Sequence, residues 1–562
     1  MRHANRRLRL LVAVFAVVFV AAFVRVAWLQ AVKAQTLDHL ATSQQRKEIA
    51  VAARRGTIFD RNGVQLAFGE RATTVYANPK QIVDARAAAI AVGQTLGLDA
   101  GKLYPLLTDR SRGFVYLARK ADPDRADALE ARQIPGIGFQ PEERRVYPQR
   151  QLASEIVGYA GTDNRGLSGI ELQFDGQLAG SDGSRTIVRD PFGRTIDVVE
   201  AEQVQDGRDV FLSVDQTLQS QAERVLRRVV GRWSAQSASA VVLDARTGGI
   251  LALAVEPGFD ANDYPEVARW HEDRLRNRAV TDTYEPGSTF KVVTVGGVLE
   301  SGIVSPTTKF RLPYKIPVAD RVIHDALPRK TQTMTVSEIL SRSSNVGVVT
   351  LAQQLQRDGV NEWIHRFGFG RLTGVDFPGE SPGIVLRPEE WSGSTIGNVP
   401  IGQGIAVTPI QMAAAYGAIA NDGVWLQPHL VDRIEGSGRV HPKERRVLSE
   451  ATAQELTKML RGVVKEGSGT LAQIPGYRVA GKTGTAAKPE PTGGYSDTRY
   501  VASFVGFAPA KHPELVVLVT VDEPRGAIWG GVVAAPPFAQ IMEFALQYLE
   551  VEPDARSKAG AS

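Results

Sequence analysis

The chain has 562 residues and no cysteine, with 43% hydrophobic and 23% charged residues. This length exceeds one ordinary domain, the composition is globular, and the missing cysteines exclude disulfides, thiolate metal sites and a cysteine nucleophile. Of the formal net charge of +5, four arginines (Arg2, Arg6, Arg7 and Arg9) fall in the first nine residues with no acid among them, which fits a membrane-flanking tip rather than a nucleic-acid surface.

The first predicted element is an apolar helix. Leu10–Val24 is fifteen apolar residues without a break, about 22 Å as helix, where a bilayer core needs roughly 30 Å. Val26, Ala27, Trp28 and Leu29 supply the missing length if Arg25 snorkels to the far interface, and Trp28 suits an interfacial belt. Residues 1–9 are then a cytoplasmic tip and residues 10–29 a single-pass anchor in the cell membrane, with the bulk of the chain extracytoplasmic. A cleaved signal peptide competes with this reading, because Val32-Lys33-Ala34 passes as a weak cleavage site.

Residues 31–50 read as a polar helical stalk. Asn62-Gly63, between Thr57-Ile58-Phe59 and Val64-Gln65-Leu66, predicts a hairpin, with Asp60-Arg61 as a structural pair holding it. Residues 68–205 mix Gly-rich turns with helical stretches rich in Ala and Arg. The pattern changes near residue 209, where "DVFLSVDQTLQSQAERVLRRVV" reads as a strand, a helix cap at Asp215 and an amphipathic helix. "SASAVVLDARTGGILALAV" is a second hairpin around Arg246-Thr247-Gly248-Gly249. "YRVAGKTGTA", "YVASFVGFAPA" and "ELVVLVTVDEP" are three more strands, and "FAQIMEFALQYL" is a closing helix. Strands at both ends with helices between predict an α+β domain over residues 209–550, whose sheet joins its first and last segments. Residues 551–562 read as a disordered tail.

The stretch "TYEPGSTFKVV" (Thr283–Val293) raises a question of chemistry. Glu285-Pro286-Gly287 is a poor helix interior, and Ser288 then leads into an apolar, helix-like run, Phe290–Val295. Ser288 is either the cap of that helix or a nucleophile with Lys291 one turn along on the same face. Ser343-Ser344-Asn345, at the start of a helical run, and Lys482-Thr483-Gly484-Thr485, on a strand, follow in order, and each of the three patterns occurs once in the chain. Together they suit acyl transfer through a serine, whose hydroxyl needs a neighbouring base. Lys291 serves if burial and a second ammonium, Lys482, depress its pKa. Ser343 would relay a proton to a leaving amine and Asn345 would hold a substrate amide. Lys482 with Thr483 and Thr485 would bind a substrate carboxylate, and Gly484 would let substrate backbone approach the strand edge. The backbone amides of Ser288 and Thr485 would form an oxyanion hole, each such donor being worth about 3 kcal/mol. Taken singly these patterns read as a cap, a turn and a strand end; three in one order are the specific signal.

This constellation resembles the penicillin-recognising serine acyltransferases. "RGTIFDRNGVQLA" (Arg55–Ala67) looks like the N-terminal signature of class B penicillin-binding proteins. "RNRAVTDTYEPGSTFK", "SRSSNVG", "IGQGIAVTPIQMAAAYGAIANDG", "VAGKTGTA" and "ASFVGFAPA" match that family too, so the likeness covers roughly residues 45–550. Thr281-Asp282-Thr283-Tyr284 ahead of Glu285 is similar to the division-specific branch, the FtsI type, more than to the elongation branch.

The resemblance implies an α+β fold with one transmembrane helix and an elongated mixed pedestal (a dimerisation domain) at residues 30–208. A transpeptidase domain at residues 209–550 would be an antiparallel sheet with helices on both faces. It implies a peptidoglycan D,D-transpeptidase without cofactor or metal, acting on stem peptides and inhibited by β-lactams. Ser288, Lys291, Ser343, Asn345 and Lys482 would be catalytic, and Thr483, Gly484 and Thr485 would bind substrate. The pedestal would contact a membrane glycosyltransferase of the FtsW type and other division proteins. Its Arg55–Ala67 hairpin would carry that contact or be purely structural. Rival readings are an elongation transpeptidase, a hydrolase (D,D-carboxypeptidase or β-lactamase), and a β-lactam sensor or scaffold on the same fold. Gly402–Val407 lacks the third glycine of a dinucleotide fingerprint and reads as a loop beside the site, and His271-Glu272-Asp273 reads as a solvated loop.

Overall fold

The computed structural model describes residues 2–31, 46–189 and 195–555. The chain partitions into two compact units, Met1–Arg54 with Gly180–Gly207, and Arg55–Ala179 with Arg208–Ser562.

In the first unit, Arg2–Ala31 is one helix. Among the described residues its apolar run is left exposed, with Phe19 and Phe23 at 73% and 74%. The stretch Asn5–Ala31 is long and apolar enough to cross a bilayer. Arg25, beyond the apolar run, lies 5.0 Å from the Trp28 ring. A three-stranded antiparallel sheet completes this unit, with Gly183–Arg189 between Arg46–Val51 and Thr195–Glu202. The helical stalk expected over residues 31–50 therefore gives way to a strand from Arg46, because a segment far along the chain supplies its hydrogen-bond ladder. Residues 32–45 of that stalk, with Val32-Lys33-Ala34, lie outside the described residues, as do residues 556–562 of the expected tail.

The second unit holds two larger sheets. One has six strands: Ile58–Phe59, Gln65–Ala77, Val115–Ala121, Ile137–Val146, Val210–Leu212 and Val431–Ile434. Val210–Leu212 runs parallel to Ile58–Phe59, so this sheet draws strands from both sides of residue 208. The Asn62-Gly63 turn joins the first two strands. Asp60 fixes that turn, but not by pairing with Arg61. Its fully buried carboxylate accepts from the amides of Asn62 and Val64, both at 2.8 Å, and of Gln216 at 3.1 Å. Arg55 is likewise buried, bonded to Glu171 at 2.7 Å and Asp175 at 2.7 Å, while Arg145 shares Glu171 at 2.6 Å. Both side chains are internal, so the geometry favours the structural reading of the hairpin.

The second sheet is the core of the catalytic region. Its strands are β1 Ser237–Asp244, β2 Ile250–Glu256, β3 Ala480–Pro489, β4 Tyr495–Ala508 and β5 Leu515–Asp522, in the antiparallel order β2-β1-β5-β4-β3. The first and last segments of the domain thus pair through β1 and β5, as the pattern of runs predicts. Period-two alternation sends Ala240, Val242, Phe504, Val517 and Val519 to one face. Helices α1 (Gln216–Trp233) and α6 (Ala535–Tyr548) cover it, with the Phe504 and Phe538 rings 4.5 Å apart. Asp215 caps α1, accepting from the Thr217 and Leu218 amides. Val241, Leu243, Val505 and Leu518 line the other face, under α2 (Lys291–Glu300), α3 (Asn345–Phe367), α4 (Pro409–Ala420) and α5 (Glu450–Glu466). Every residue of α4 is buried, which suits a composition that is small or apolar apart from Gln411 and Tyr416, whose polar atoms bond to backbone carbonyls. Strand β3 is an edge of the sheet, and the functional residues gather along it.

Candidate active site

Pro286 and Gly287 break the chain just ahead of α2. Gly287 sits at φ +55°, a conformation that strains other residues, and Gly287–Phe290 is a 3₁₀ turn running into α2 at Lys291. Ser288 lies inside that turn and caps neither helix, so its capping alternative is excluded. Among the described residues its hydroxyl has no hydrogen-bond partner, and it opens onto a cavity. The turn is pinned on several sides. Gly287 N donates to Gly402 O at 3.0 Å, Thr289 Oγ1 to Pro286 O at 2.8 Å, and Tyr416 Oη to Thr289 O at 2.9 Å. Glu285 accepts from Gly404 N at 2.9 Å and from Tyr495 Oη at 3.1 Å. The Gly402–Val407 stretch is thus a loop strapped to the nucleophile turn, as its sequence suggests.

Lys291 and Lys482 are fully buried. Lys291 Nζ donates to Ser343 O and Asn345 Oδ1, both at 2.6 Å, and to Ser343 Oγ at 3.2 Å. Lys482 Nζ donates to the same Ser343 Oγ at 3.0 Å and to Thr483 O at 3.2 Å. One hydroxyl therefore bridges two amines, and Lys291 is turned toward Ser343 and Asn345 rather than bonded to Ser288. Burial pushes the Lys482 ammonium down to about 7. Burial, with the Lys482 charge second, holds Lys291 well below its ordinary value, against a weaker opposing pull from Asp325.

Ser343 reaches this position through its backbone. It follows the helix Val336–Ser341 with φ +59°, which costs a non-glycine residue roughly 1–2 kcal/mol. Leu340 O takes its amide at 3.1 Å and Lys291 takes its carbonyl, so the strained turn is held from both ends. Ser344 then caps α3, its Oγ accepting from Gly347 N at 3.0 Å and donating to Asp325 at 3.0 Å. Asn345 is engaged at both ends of its amide: Oδ1 by Lys291, and Nδ2 with His324 O at 3.0 Å. It orients Lys291 and still lines the cavity, with a second Nδ2 hydrogen beyond the one given to His324 O.

A cavity of about 530 Å³ is lined by Ser288, Ser343, Asn345, Thr483, Thr485 and Trp529, among others. Lys291 and Lys482 lie behind these residues. Gly484 does not line it. A Cβ at Gly484 would lie 2.3 Å from Ser503 Oγ and 2.8 Å from Pro286 O. This glycine is needed so that β3 can lie against the nucleophile turn, not for the approach of substrate backbone. Thr485 Oγ1 accepts from Gly530 N at 3.0 Å, and Thr483 Oγ1 is 2.7 Å from Ser468 Oγ.

Sequence reading missed Asp325, Ser468 and Trp529. Asp325 orders the loop at the mouth through Ser344, the Val346 amide at 3.0 Å and Arg329 at 2.6 Å. Nothing local marks it: "HDALPRK" reads as an ordinary polar loop, and its partners are assembled only by the fold.

An antiparallel sheet clothed in helices on both faces, with a serine turn at its edge strand and two buried amines around one hydroxyl, is the architecture of the penicillin-recognising serine acyltransferases. Residues 238–543 match the penicillin-binding protein transpeptidase domain and residues 50–212 the penicillin-binding protein dimerisation domain, and the chain belongs to the class B penicillin-binding proteins. It is 33% identical to a probable peptidoglycan D,D-transpeptidase PenA of Neisseria gonorrhoeae, over 98% of this chain and 94% of that protein. It is also 33% identical to the peptidoglycan D,D-transpeptidase FtsI of Escherichia coli K12, over 94% of this chain and 90% of that one. A crystal structure of penicillin binding protein 3 from Mycobacterium tuberculosis complexed with aztreonam is similar at a TM-score of 0.72 and 31% identity, covering 90% of this chain and 98% of that one.

Proposed function

We propose that this chain is a membrane-anchored peptidoglycan D,D-transpeptidase that cross-links stem peptides during septal wall synthesis. The observation that carries the chemistry is the Ser343 hydroxyl bridging Lys291 and Lys482 beside the free hydroxyl of Ser288. Ser288 Oγ attacks the penultimate D-Ala carbonyl of a donor peptide. Its proton passes to Lys291, which can accept it because burial and a neighbouring amine favour the neutral form. The amides of Ser288 and Thr485 take the developing oxyanion. As the tetrahedral intermediate collapses, the C–N bond breaks, and the proton held by Lys291 is relayed through Ser343 to the departing D-Ala amine. An acceptor amine then attacks the acyl-enzyme, loses its proton along the same route and restores Ser288. Lys482 and Thr483 receive the donor's terminal carboxylate, Thr485 positions the strand edge, Gly484 admits the nucleophile turn, and Asn345 positions Lys291.

The matches at residues 50–212 and 238–543 support a division of labour, with residues 30–208 as a pedestal and residues 209–550 as the transpeptidase. The basic tip ahead of the apolar helix supports a cytoplasmic N-terminus with the catalytic domain outside. The likeness to FtsI supports the septal role, and on that reading the pedestal stands beside a membrane glycosyltransferase of the FtsW type.

The test is intact mass after exposure to penicillin. Wild-type protein gains one acyl adduct, and Ser288→Ala, with unchanged melting, gains none; an adduct on the folded variant would falsify the mechanism. Depletion in a rod-shaped host should give filaments, and round cells would move the role to elongation.

A further inference from the structure

The cavity at Ser288 carries a positive charge that its own walls do not neutralise. Its described lining includes Asp325, Arg329 and Arg342 as charged side chains. Asp325 and Arg329 neutralise each other at 2.6 Å, and the remaining Arg329 donors go to Leu312 O, Pro313 O and Lys330 O. Arg342 is different. Its side chain is 55% exposed and reaches Glu338 only at 3.4 Å and Gln332 Oε1 at 3.4 Å. Glu338 cannot swing closer without loss, because its other oxygen closes a capping box with Thr335 N at 2.9 Å and Thr335 Oγ1 at 3.1 Å. An exposed pair at that length holds a guanidinium weakly. The base of the side chain is fixed nonetheless: Arg342 N donates to Glu338 O at 2.9 Å, and the next residue is the strained, doubly held Ser343.

We propose that Arg342 is a specificity residue for the donor peptide, receiving a carboxylate other than the terminal one assigned to Lys482 and Thr483. This rests on the transpeptidase reading. A guanidinium offers a planar fork that takes a carboxylate through two parallel N–H···O bonds. Gln332 accepts from Arg342 through Oε1, which leaves its Nε2 to donate to the same carboxylate. The partner is the donor, because Ser288 and Arg342 share one cavity and the donor must fill it before any acyl-enzyme exists. The acceptor arrives only after D-Ala has left. The enzyme therefore favours stem peptides whose branch carboxylates are free over those in which they are carboxamides.

The experiment uses the full chain in detergent, an acceptor peptide amine supplied in free-acid or carboxamide form, and two synthetic donors ending in D-Ala-D-Ala. The donors are identical except that one carries its non-terminal carboxylates as carboxamides. D-Ala release is measured for wild type, Arg342→Gln and Arg342→Lys, with penicillin acylation and melting temperature as controls. Wild type should prefer the free-carboxylate donor by about tenfold or more, expressed in KM. Arg342→Gln should bring the two donors to near parity by raising KM for the free acid alone, leaving kcat, the carboxamide donor and penicillin acylation unchanged. Arg342→Lys, which keeps the charge but not the fork, should fall between. Equal loss on both donors would assign Arg342 a structural role, an unchanged preference in Arg342→Gln would remove it from recognition, and sensitivity that follows the acceptor's carboxylate would overturn the donor assignment. If wild type releases D-Ala from neither donor, the transpeptidase reading fails and takes this inference with it; turnover without preference overturns Arg342 alone.

Discussion

Replacing Lys482 with methionine isolates the electrostatics of the buried amine pair. Burial lowers the Lys482 ammonium from its ordinary 10.5 to about 7, a difference of about 5 kcal/mol between the two protonation states. Between those values the unfolded chain binds a proton that the folded chain does not. Wild-type stability therefore rises with pH from about 7 toward 10.5 and sits on its low plateau below 7. Methionine, apolar and of similar reach, has no such dependence. What it loses are the bonds from Nζ to Ser343 Oγ at 3.0 Å and Thr483 O at 3.2 Å, about 1 kcal/mol each. The variant should thus be more stable than wild type by about 3 kcal/mol below pH 7, reach parity near about pH 9, and be the less stable of the two above that. Thermal unfolding of the detergent-solubilised chain at a series of pH values reads this as a gap of a few degrees that closes and reverses. Penicillin acylation should be lost at every pH. A variant that melts below wild type throughout, or a gap that stays constant from pH 6.5 to 9.5, would refute burial as the cause of the shift and remove the reason for a neutral amine at the site.

Lys291→Arg should lose acylation nearly as completely as alanine, because guanidinium stays charged at any accessible pH; stopped-flow labelling that retains more than a tenth of the wild-type rate, a barrier change under about 1.4 kcal/mol, counts against Lys291 as base. Gly484→Ala puts a methyl group 2.3 Å from Ser503 Oγ and 2.8 Å from Pro286 O, so it should destabilise by about 1–3 kcal/mol and, by displacing the nucleophile turn, slow acylation roughly 100-fold. Normal acylation in that variant would mean the turn does not depend on its contact with β3. Arg55→Ala leaves Glu171 with Arg145 as its remaining cation, beside the Tyr147 hydroxyl, and Asp175 without its cation, which should cost about 3–5 kcal/mol and lower the melting temperature. A variant that melts like wild type yet fails to support septation would return the Arg55–Ala67 hairpin to the role of contact surface.

Features that depend on a few neighbouring residues are legible in the amino-acid sequence. The Asn62-Gly63 and Arg246–Gly249 hairpins, the Asp215 cap, the three closing strands and the apolar N-terminal helix were legible because turn chemistry, capping and hydrophobic period act within one or two turns of chain. The three motifs were legible as spacings, and their order named the chemistry. Tertiary structure decided the rest. Lys291 and Lys482 meet at Ser343 across 52 and 139 residues of chain, and neither amine is depressed until the sheet and its covering helices exclude water from both. The same closure engages both ends of the Asn345 amide, makes Gly484 a requirement of the serine turn rather than of substrate, turns Asp60 toward three amides instead of Arg61, and draws Arg46–Val51 into a sheet where its own pattern suggested a helix. A residue type limits which bonds can form. Burial and partners brought from distant parts of the chain decide which of them do, and no local pattern carries that information.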